Sequence, residues 1–452
     1  FEDVNPLALD EKTDDIELSS LISFIEDRYK RSKDWRRFDE ERWLQSYRNY
    51  RGLYGPDVQF TEAERSRVFI KVTKTKVLAA YGQITDVLFA RQKFPISIEP
   101  TTLPEGVTEA VHFDPNVPPE QAEEQEEEQS PYGFPGDGQD LEAGDTLTSL
   151  QEKKLNLGPL EEKLSEVEGL VEGEGLTPSA VTFHPAMVAA KKMEKQIMDQ
   201  LEESGASKHL RSATFECSLF GTGIIKGPFA VDKEYANWSD EGEYSPTIKT
   251  VPQVKHVSCW DLYPDPDASN MDEVTYIIER HKLSKSKLRA LKDRPHFRLE
   301  AIDRCIEMGE VYTSEYWEDD LKDYYLNDHP ERYQVLEYWG LMDADIAKEY
   351  GIDLPKEFKN SEQIQVNCWV CNNYILRLVI NPFKPARIPY YAVPYELNPY
   401  SFFGIGLAEN MDDTQTLMNG FMRMAVDNAV LSGNLLIEVD ETNLVPGQDF
   451  QV

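Results

Sequence analysis

Apolar positions recur at helical spacing from Ile16 to about Tyr54, where Leu18, Leu21, Ile22 and Ile25 come at steps of three and four and Trp35, Phe38, Trp43, Tyr47 and Tyr50 follow among many charges. This pattern predicts two helices. Val68 to Phe89 reads as a further helical block, and Phe94 to Pro100 (FPISIEP) as a strand closed by a proline turn. Helical spacing returns over His184 to Leu201 and Leu210 to Phe220, until GTGIIKGPF breaks it with three glycines and a proline. From there to about Pro394 the segments VKHVSCWDLYPDPDA, VTYIIERHKL, YQVLEYWGLM, IQVNCWVCNNYILRLV and IPYYAVPYELNP read as strands, with one helical stretch, Lys285 to Met308, between them. A last helix is predicted from Gly406 to Leu431, about 40 Å long. Leu407, Met411, Leu417, Phe421 and Met424 mark its apolar face, and Asp412, Asp413, Gln415, Asn419, Arg423 and Asp427 its polar face. Gly433 and Asn434 stop it, and LLIEV then reads as a strand. The order of elements predicts an α+β fold.

Composition changes sharply between Thr101 and Ala180, a segment that contains EEQEEEQ, PYGFPGDG and EKLSEVEGLVEGEG and as a whole carries roughly half of the chain's excess negative charge with few large apolar residues. An inserted, mostly extended acidic segment is expected there. Across all 452 residues, 47 Lys and Arg stand against 82 Asp and Glu, a net charge of −35. That balance argues against a protein that coats nucleic acid by neutralising phosphates; on charge alone simple solubility accounts for it, and it also suits a wall past which a duplex slides. The basic, aromatic stretch RYKRSKDWRRFDEERWLQSYRNYRGLYG has acids interleaved at helical spacing, which favours a helix face laced with ion pairs over a nucleic-acid surface. Five cysteines in so long a chain do not make a secreted disulfide framework, so folding in a reducing cytoplasm is expected. No apolar run approaches the roughly 18 residues of a membrane helix. Position 1 is Phe and the chain stops at DFQV, so both ends are expected to be edges of an ordered fragment.

The candidate chemistry is thin. CWVC, from Cys368 to Cys371, has the spacing of half a zinc site, but no second pair follows. A strand reading puts the two cysteines on opposite faces, with Asn372 and Asn373 as a hairpin turn. GTGIIKG lacks the spacing and the Lys-Ser/Thr ending of a phosphate loop, so its glycines are expected to turn a helix sharply into a strand. DPDA, from Asp265 to Ala268, reads as a tight turn whose aspartates bond to backbone amides. Seven scattered histidines form no triad or HExxH pattern. No catalytic residue, metal or cofactor is expected.

Four segments in order, SLFGTGIIKGPF, VSCWDLYPDPDA, IPYYAVPYELNPYSFFGIGLAENMDDTQTLMNGFMRMAVDNAVLSGN and ETNLVPGQDFQV, resemble the portal (head-to-tail connector) proteins of short-tailed bacteriophages. The resemblance covers about residues 180 to 452 and does not extend to the acidic insert. It implies a ring oligomer of twelve subunits with wing, stem, clip and crown around an axial channel at one capsid vertex of the virion. Residues 1–100 would be the helical part of the wing, 101–180 the insert, 181–405 the rest of the wing, 406–432 the stem helix and 433–452 the start of a β-containing clip. The remaining clip, the returning stem helix, the tunnel loop and the crown would lie beyond Val452. Implied partners are other copies of the chain, double-stranded DNA passing without sequence reading, the major capsid protein, the terminase large subunit and a head-tail adaptor; no membrane is implied. On this reading Asp412, Asp413, Gln415, Asn419, Arg423 and Asp427 face the channel, Arg423 pairs with Asp427 or a neighbouring subunit, and Leu407, Met411, Leu417, Phe421 and Met424 pack the stem. The alternatives are another virion structural protein, such as a head-tail adaptor or ejection protein, and an acidic module that mimics DNA.

Overall fold

The structure is a computed structural model that describes residues 19–56, 58–60, 65–89, 94, 96–100, 111–113, 181–183, 185–238, 244, 246–309, 311–312, 314–322, 332–344 and 362–433. In chain order its elements are α1 (Ser19–Arg51), α2 (Val72–Phe89), β1 (Val111–Phe113), β2 (Val181–Phe183), α3 (Pro185–Glu203), α4 (Ala206–Phe220), β3 (Thr222–Tyr235) and β4 (Thr247–Val257). There follow β5 (Leu262–Pro264), β6 (Tyr276–Leu283), α5 (Lys285–Arg289), α6 (Leu299–Met308), α7 (Tyr316–Lys322), β7 (Tyr333–Asp343), β8 (Gln363–Cys371), β9 (Tyr374–Ile380), β10 (Tyr390–Pro394), α8 (Leu407–Asn410) and α9 (Asp412–Gly433). The fold is α+β. Apart from 111–113, the acidic stretch 101–180 lies outside the described residues, as do 434–452, where the clip was expected to begin.

Two compact units divide the chain, residues 96–197 and residues 1–95 with 198–452. In the smaller, β1 pairs antiparallel with β2, Val111 opposite Phe183, and the Ile98 amide donates to Glu194 Oε2 at 3.2 Å. The larger holds a five-stranded antiparallel sheet ordered β5-β6-β7-β8-β9 and a three-stranded one ordered β10-β3-β4. Strand alternation gives the five-stranded sheet its layers. Tyr263, Ile278, Tyr338, Cys368 and Leu378 form one continuous cross-strand row. All five are buried in one core, with Leu21, Ile22, Ile25 and Tyr29 of α1 laid over them. The neighbouring row, Leu262, Glu279, Glu337, Trp369 and Arg377, faces the other way. A second core joins Trp43, Leu44, Leu219, Phe220, Trp260, Trp339 and Phe403. A third packs Ile302 and Cys305 of α6 against Trp369, Cys371 and Leu376.

Three expectations change. The two helices read from Ile16 to Tyr54 are one helix of 33 residues, because no Gly or Pro interrupts Ser19 to Arg51. Its aliphatic first half and aromatic second half serve two cores. Its middle is fastened by the buried Arg36, which bonds Glu40 and the carbonyls of Cys259, Trp260 and Leu262. The stretch Lys285 to Met308 is broken before Pro295, with His296 at a left-handed φ of 65°, into α5, a short 3-10 turn and α6. No strand forms among the described residues of 94–100.

Three turn readings hold. Asp265 Oδ1 accepts from the Asp267 amide, as a turn aspartate does. Cys368 and Cys371 fall in different cores on opposite sheet faces. Asn372 and Asn373, at φ 46° and 64°, make the hairpin turn between β8 and β9.

Candidate functional site

The last helical segment leaves the body at a glycine junction. Helix α4 ends at Gly221, whose φ of 95° lies in the left-handed region and lets the chain turn straight into β3. A Cβ at Gly221 would meet Gly404 O at 2.4 Å, and one at Gly406 would meet Leu219 O at 2.5 Å. The glycines of SLFGTG and FFGIG, far apart in sequence, therefore press backbone on backbone. The Tyr395 amide donates to Gly221 O and fixes the crossing.

From that junction α8 runs along α1. Arg42 Nη1 bonds Glu409 Oε1 at 2.9 Å, and Arg42 also pairs with Asp39. Burial raises the Asp39 carboxyl above its ordinary value, and the Arg42 charge offsets only part of that. At the start of α9, Asp412 Oδ1 accepts from Asn49 Nδ2 at 2.6 Å and Gln45 Nε2 at 3.2 Å. The predicted single helix from Gly406 is thus α8 and α9, joined at Met411. The Met411 amide still bonds Leu407 O, and the Gln415 amide bonds Met411 O.

Gln415, Asn419, Arg423 and Asp427 are spaced four residues apart, so they form one stripe along α9. This stripe holds a strap, residues 65–71, that leads into the first turn of α2. Gln415 Oε1 accepts from Thr73 N at 3.0 Å and Thr73 Oγ1 at 2.9 Å, while its Nε2 donates to Ile70 O. Asn419 Oδ1 accepts from Ile70 N at 3.0 Å and from Gln415 Nε2 at 3.0 Å. The two amides thereby satisfy both backbone groups of Ile70, as a neighbouring strand would. Arg423 lies 5.3 Å from the Tyr54 ring centroid and 5.2 Å from that of Phe60. Asp427 Oδ1 accepts from the Ser66 amide at 2.9 Å.

Most of the polar face read as channel-facing is therefore turned inward. Gln415 is 0% exposed and Asn419 4%, so the expectation that these two meet an aqueous channel is corrected. The cause is the unpaired backbone of the strap, which needs short amides opposite it. Asp427 bonds Ser66, and no ion pair joins it to Arg423 among the described residues. Asp413 alone of the six is exposed. On the apolar side, Leu407 is half-buried against the second core and Met411 half-buried. Leu417 is 62% exposed, Phe421 66% and Met424 55%, with Met418, Met422, Val430 and Leu431 exposed beside them.

Sequence reading missed two buried ionic clusters. Glu279 and Glu337 stand directly opposite each other on β6 and β7, an arrangement that repels unless a cation intervenes. Lys226, from the glycine-rich segment, supplies it, with Nζ 2.6 Å from an oxygen of each. His281 Nε2 lies 2.7 Å from Glu337 and the Tyr390 hydroxyl donates to Glu279 at 2.7 Å. Burial alone would raise the Glu337 carboxyl; the Lys226 and His281 charges outweigh it and hold it well below the usual range. Glu279, His281 and Glu337 do bring ligand atoms within 4.8 Å of one another, but the Lys226 ammonium already sits where a metal ion would bind. In the second cluster the buried Arg280 meets Asp261, Glu315 and Glu318. Glu318 is held down to about 2: burial pushes it up, and the Tyr312 hydrogen bond with the charges of Arg280 and Lys282 more than reverses that.

No helix among the described residues is long and apolar enough to cross a membrane. No curated protein matches the chain. The family described as phage SU10 portal protein matches residues 174–448, which takes in the glycine junction, both ionic clusters, the β-rich body and the whole of α9. With more than half its length covered, the chain belongs to the phage SU10 portal protein family, a structural component of the virion's portal vertex.

Proposed function

We propose that this chain is one subunit of a twelve-membered ring at a single capsid vertex, through which double-stranded DNA is packaged, retained and later ejected. The observation that carries the ring is the bare side of α9. A helix whose polar stripe is used up inside its own subunit leaves Leu417, Phe421 and Met424 to water, and such a contiguous apolar strip belongs against another surface. In the ring that surface is the neighbouring subunit, and of the five stem-packing candidates Leu417, Phe421 and Met424 act there. Asp413 is the remaining channel-facing candidate of the original six, its carboxylate repelling phosphate and keeping the duplex mobile.

The work of packaging comes from a terminase docked on the clip, the head-tail adaptor binds the same end afterwards, and the wing meets the major capsid protein. The chain itself acts as a passive conduit. Assembly takes place in the bacterial cytoplasm. Native mass measurement of the purified full-length protein tests the ring: a closed oligomer of about twelve is expected from this reading, and a protein that stays monomeric at high concentration overturns it.

A further inference from the structure

Two of the five thiols lie against each other. Cys305 Sγ, on α6, is 3.0 Å from Cys371 Sγ, at the end of β8, and both side chains are buried. The backbones that carry them are fastened together on either side. Asn372, the residue after Cys371, donates through Nδ2 to Gly309 O at 3.0 Å and to Cys305 O at 3.4 Å, so the hairpin turn caps the end of α6. At the other end of the helix, the Arg298 amide donates to Leu376 O at 2.8 Å. A covalent bond requires the sulfurs to close by about 1 Å, to roughly 2.05 Å. No rearrangement of secondary structure is needed for that.

We propose that Cys305 and Cys371 are an oxidisable pair, which a small peroxide converts to an intramolecular disulfide tying α6 to the β8–β9 hairpin. The Cys305 sulfur attacks the peroxide oxygen, giving a sulfenic acid and one water. The Cys371 sulfur then displaces the hydroxyl from Cys305, forming the S–S bond and releasing a second water. Two thiols are oxidised and one hydrogen peroxide is reduced. The pair is asymmetric in the right sense. Its hydrogen bond with Cys371 lowers the Cys305 thiol below the ordinary value, whereas the same bond and burial hold Cys371 above it. The other three offer no such pairing: burial pushes Cys217 up to about 11, and raises Cys259 and Cys368 as well. The peroxide reaches the pair through local opening at the end of α6, where Gly309 leaves the helix at a left-handed φ of 90°. None of this depends on the chain forming a ring.

The test treats the folded full-length protein with hydrogen peroxide, removes the peroxide with catalase, unfolds the chain in an alkylating agent and maps its peptides. Alkylatable thiols are expected to fall from the five free cysteines to three. A peptide cross-linked between Cys305 and Cys371, lighter by two hydrogens and opened by dithiothreitol, is expected with them. Oxidation of the exposed Met193 and Met308 reports that the peroxide dose was effective. Five alkylatable thiols in protein whose methionines are oxidised would overturn the proposal. So would a cross-link through Cys217, or an over-oxidised Cys305 with Cys371 still free. Cys371→Ala should leave Cys305 without its partner and abolish the reversible product; if that variant does not fold, the wild-type peptide map decides alone.

Discussion

Gln415 and Thr73, 342 positions apart, are joined by two hydrogen bonds to a single amide oxygen, and neither residue is exposed to solvent. Through that pair α9 grips the strap that leads into α2. Replacing Gln415 by Leu keeps the volume and removes every bond, leaving Thr73 N and Thr73 Oγ1 buried without this acceptor, while Ile70 O keeps the bond from the Val72 amide. Each such group costs about 1–3 kcal/mol, so a loss of about 3 kcal/mol is expected in urea unfolding. Amide exchange at Ile70 and Thr73 should rise with it. Unchanged exchange at those two amides would mean the strap is held by something else.

The stripe also explains what the sequence could and could not disclose about this helix. Its position and amphipathic period were readable, because apolar spacing is a local signal. Which face goes inward was not, because the strap that claims the polar face, residues 65–71 with the start of α2, lies far away in sequence. A clue was available in the residue types: Gln415 and Asn419 are short amides, suited to backbone partners, where a wet face would favour Lys and Glu. The β-rich region was readable from alternation, and GTGIIKG as a structural turn from its glycines. The Lys226 cluster was not, since its pairs span 53 and 111 residues and depend on strand register.

Lys226→Met is expected to cost about 3–5 kcal/mol at pH 7, since it leaves two facing carboxylates buried without their main cation. The pH dependence distinguishes this from lost packing. In the wild type Glu279 and Glu337 are depressed, so their contribution is present above the unfolded carboxylate pKa and lost as pH falls through the depressed values. In the variant, burial dominates and raises them, so the variant gains stability as pH falls and they protonate. Urea midpoints should therefore show the gap between the two proteins narrowing from pH 8 to pH 5; a constant gap would contradict the assignment.

Glu318 follows the same wild-type profile, its contribution lost as pH falls. With its carboxyl held at about 2 in the fold, its contribution is complete above about 4.5 and disappears as pH falls towards 2. The shift sets an upper bound of about 3 kcal/mol, which solvent screening reduces. Glu318→Gln should lose at most that amount at pH 7, because Arg280 and Lys282 then face a neutral amide. The variant's stability should also fall less steeply between pH 4.5 and 2, and an unchanged slope would remove Glu318 from the acid transition.

Charge reversal at Asp413 and at Asp427 should have different consequences, although both were first read as channel positions. Asp413→Lys alters an exposed carboxylate with no internal partner among the described residues, so ring formation should survive and DNA packaging should drop. Asp427→Lys removes the acceptor of the Ser66 amide, and loosening of the strap is expected first, at about 1–2 kcal/mol. Normal packaging by intact Asp413→Lys rings would count against a lubricating carboxylate.

Phe421 separates the subunit from its assembly. In the isolated chain its ring is 66% exposed, so Phe421→Ser removes almost no buried contact within the subunit. Unfolding of the dissociated chain should then shift by no more than about 0.5 kcal/mol. If neighbouring copies of α9 pack along Leu417, Phe421 and Met424, the same change creates a cavity at every contact of the ring, each costing about 3 kcal/mol or more. Because the defect repeats around the ring, assembly should weaken far more steeply than a single contact would suggest. Native mass measurements across a dilution series, set beside urea curves of the dissociated chain, give both quantities. Rings that persist at wild-type concentrations would place Phe421 outside the subunit contact, whereas loss of subunit stability in step with assembly would show that its side chain is covered within its own chain.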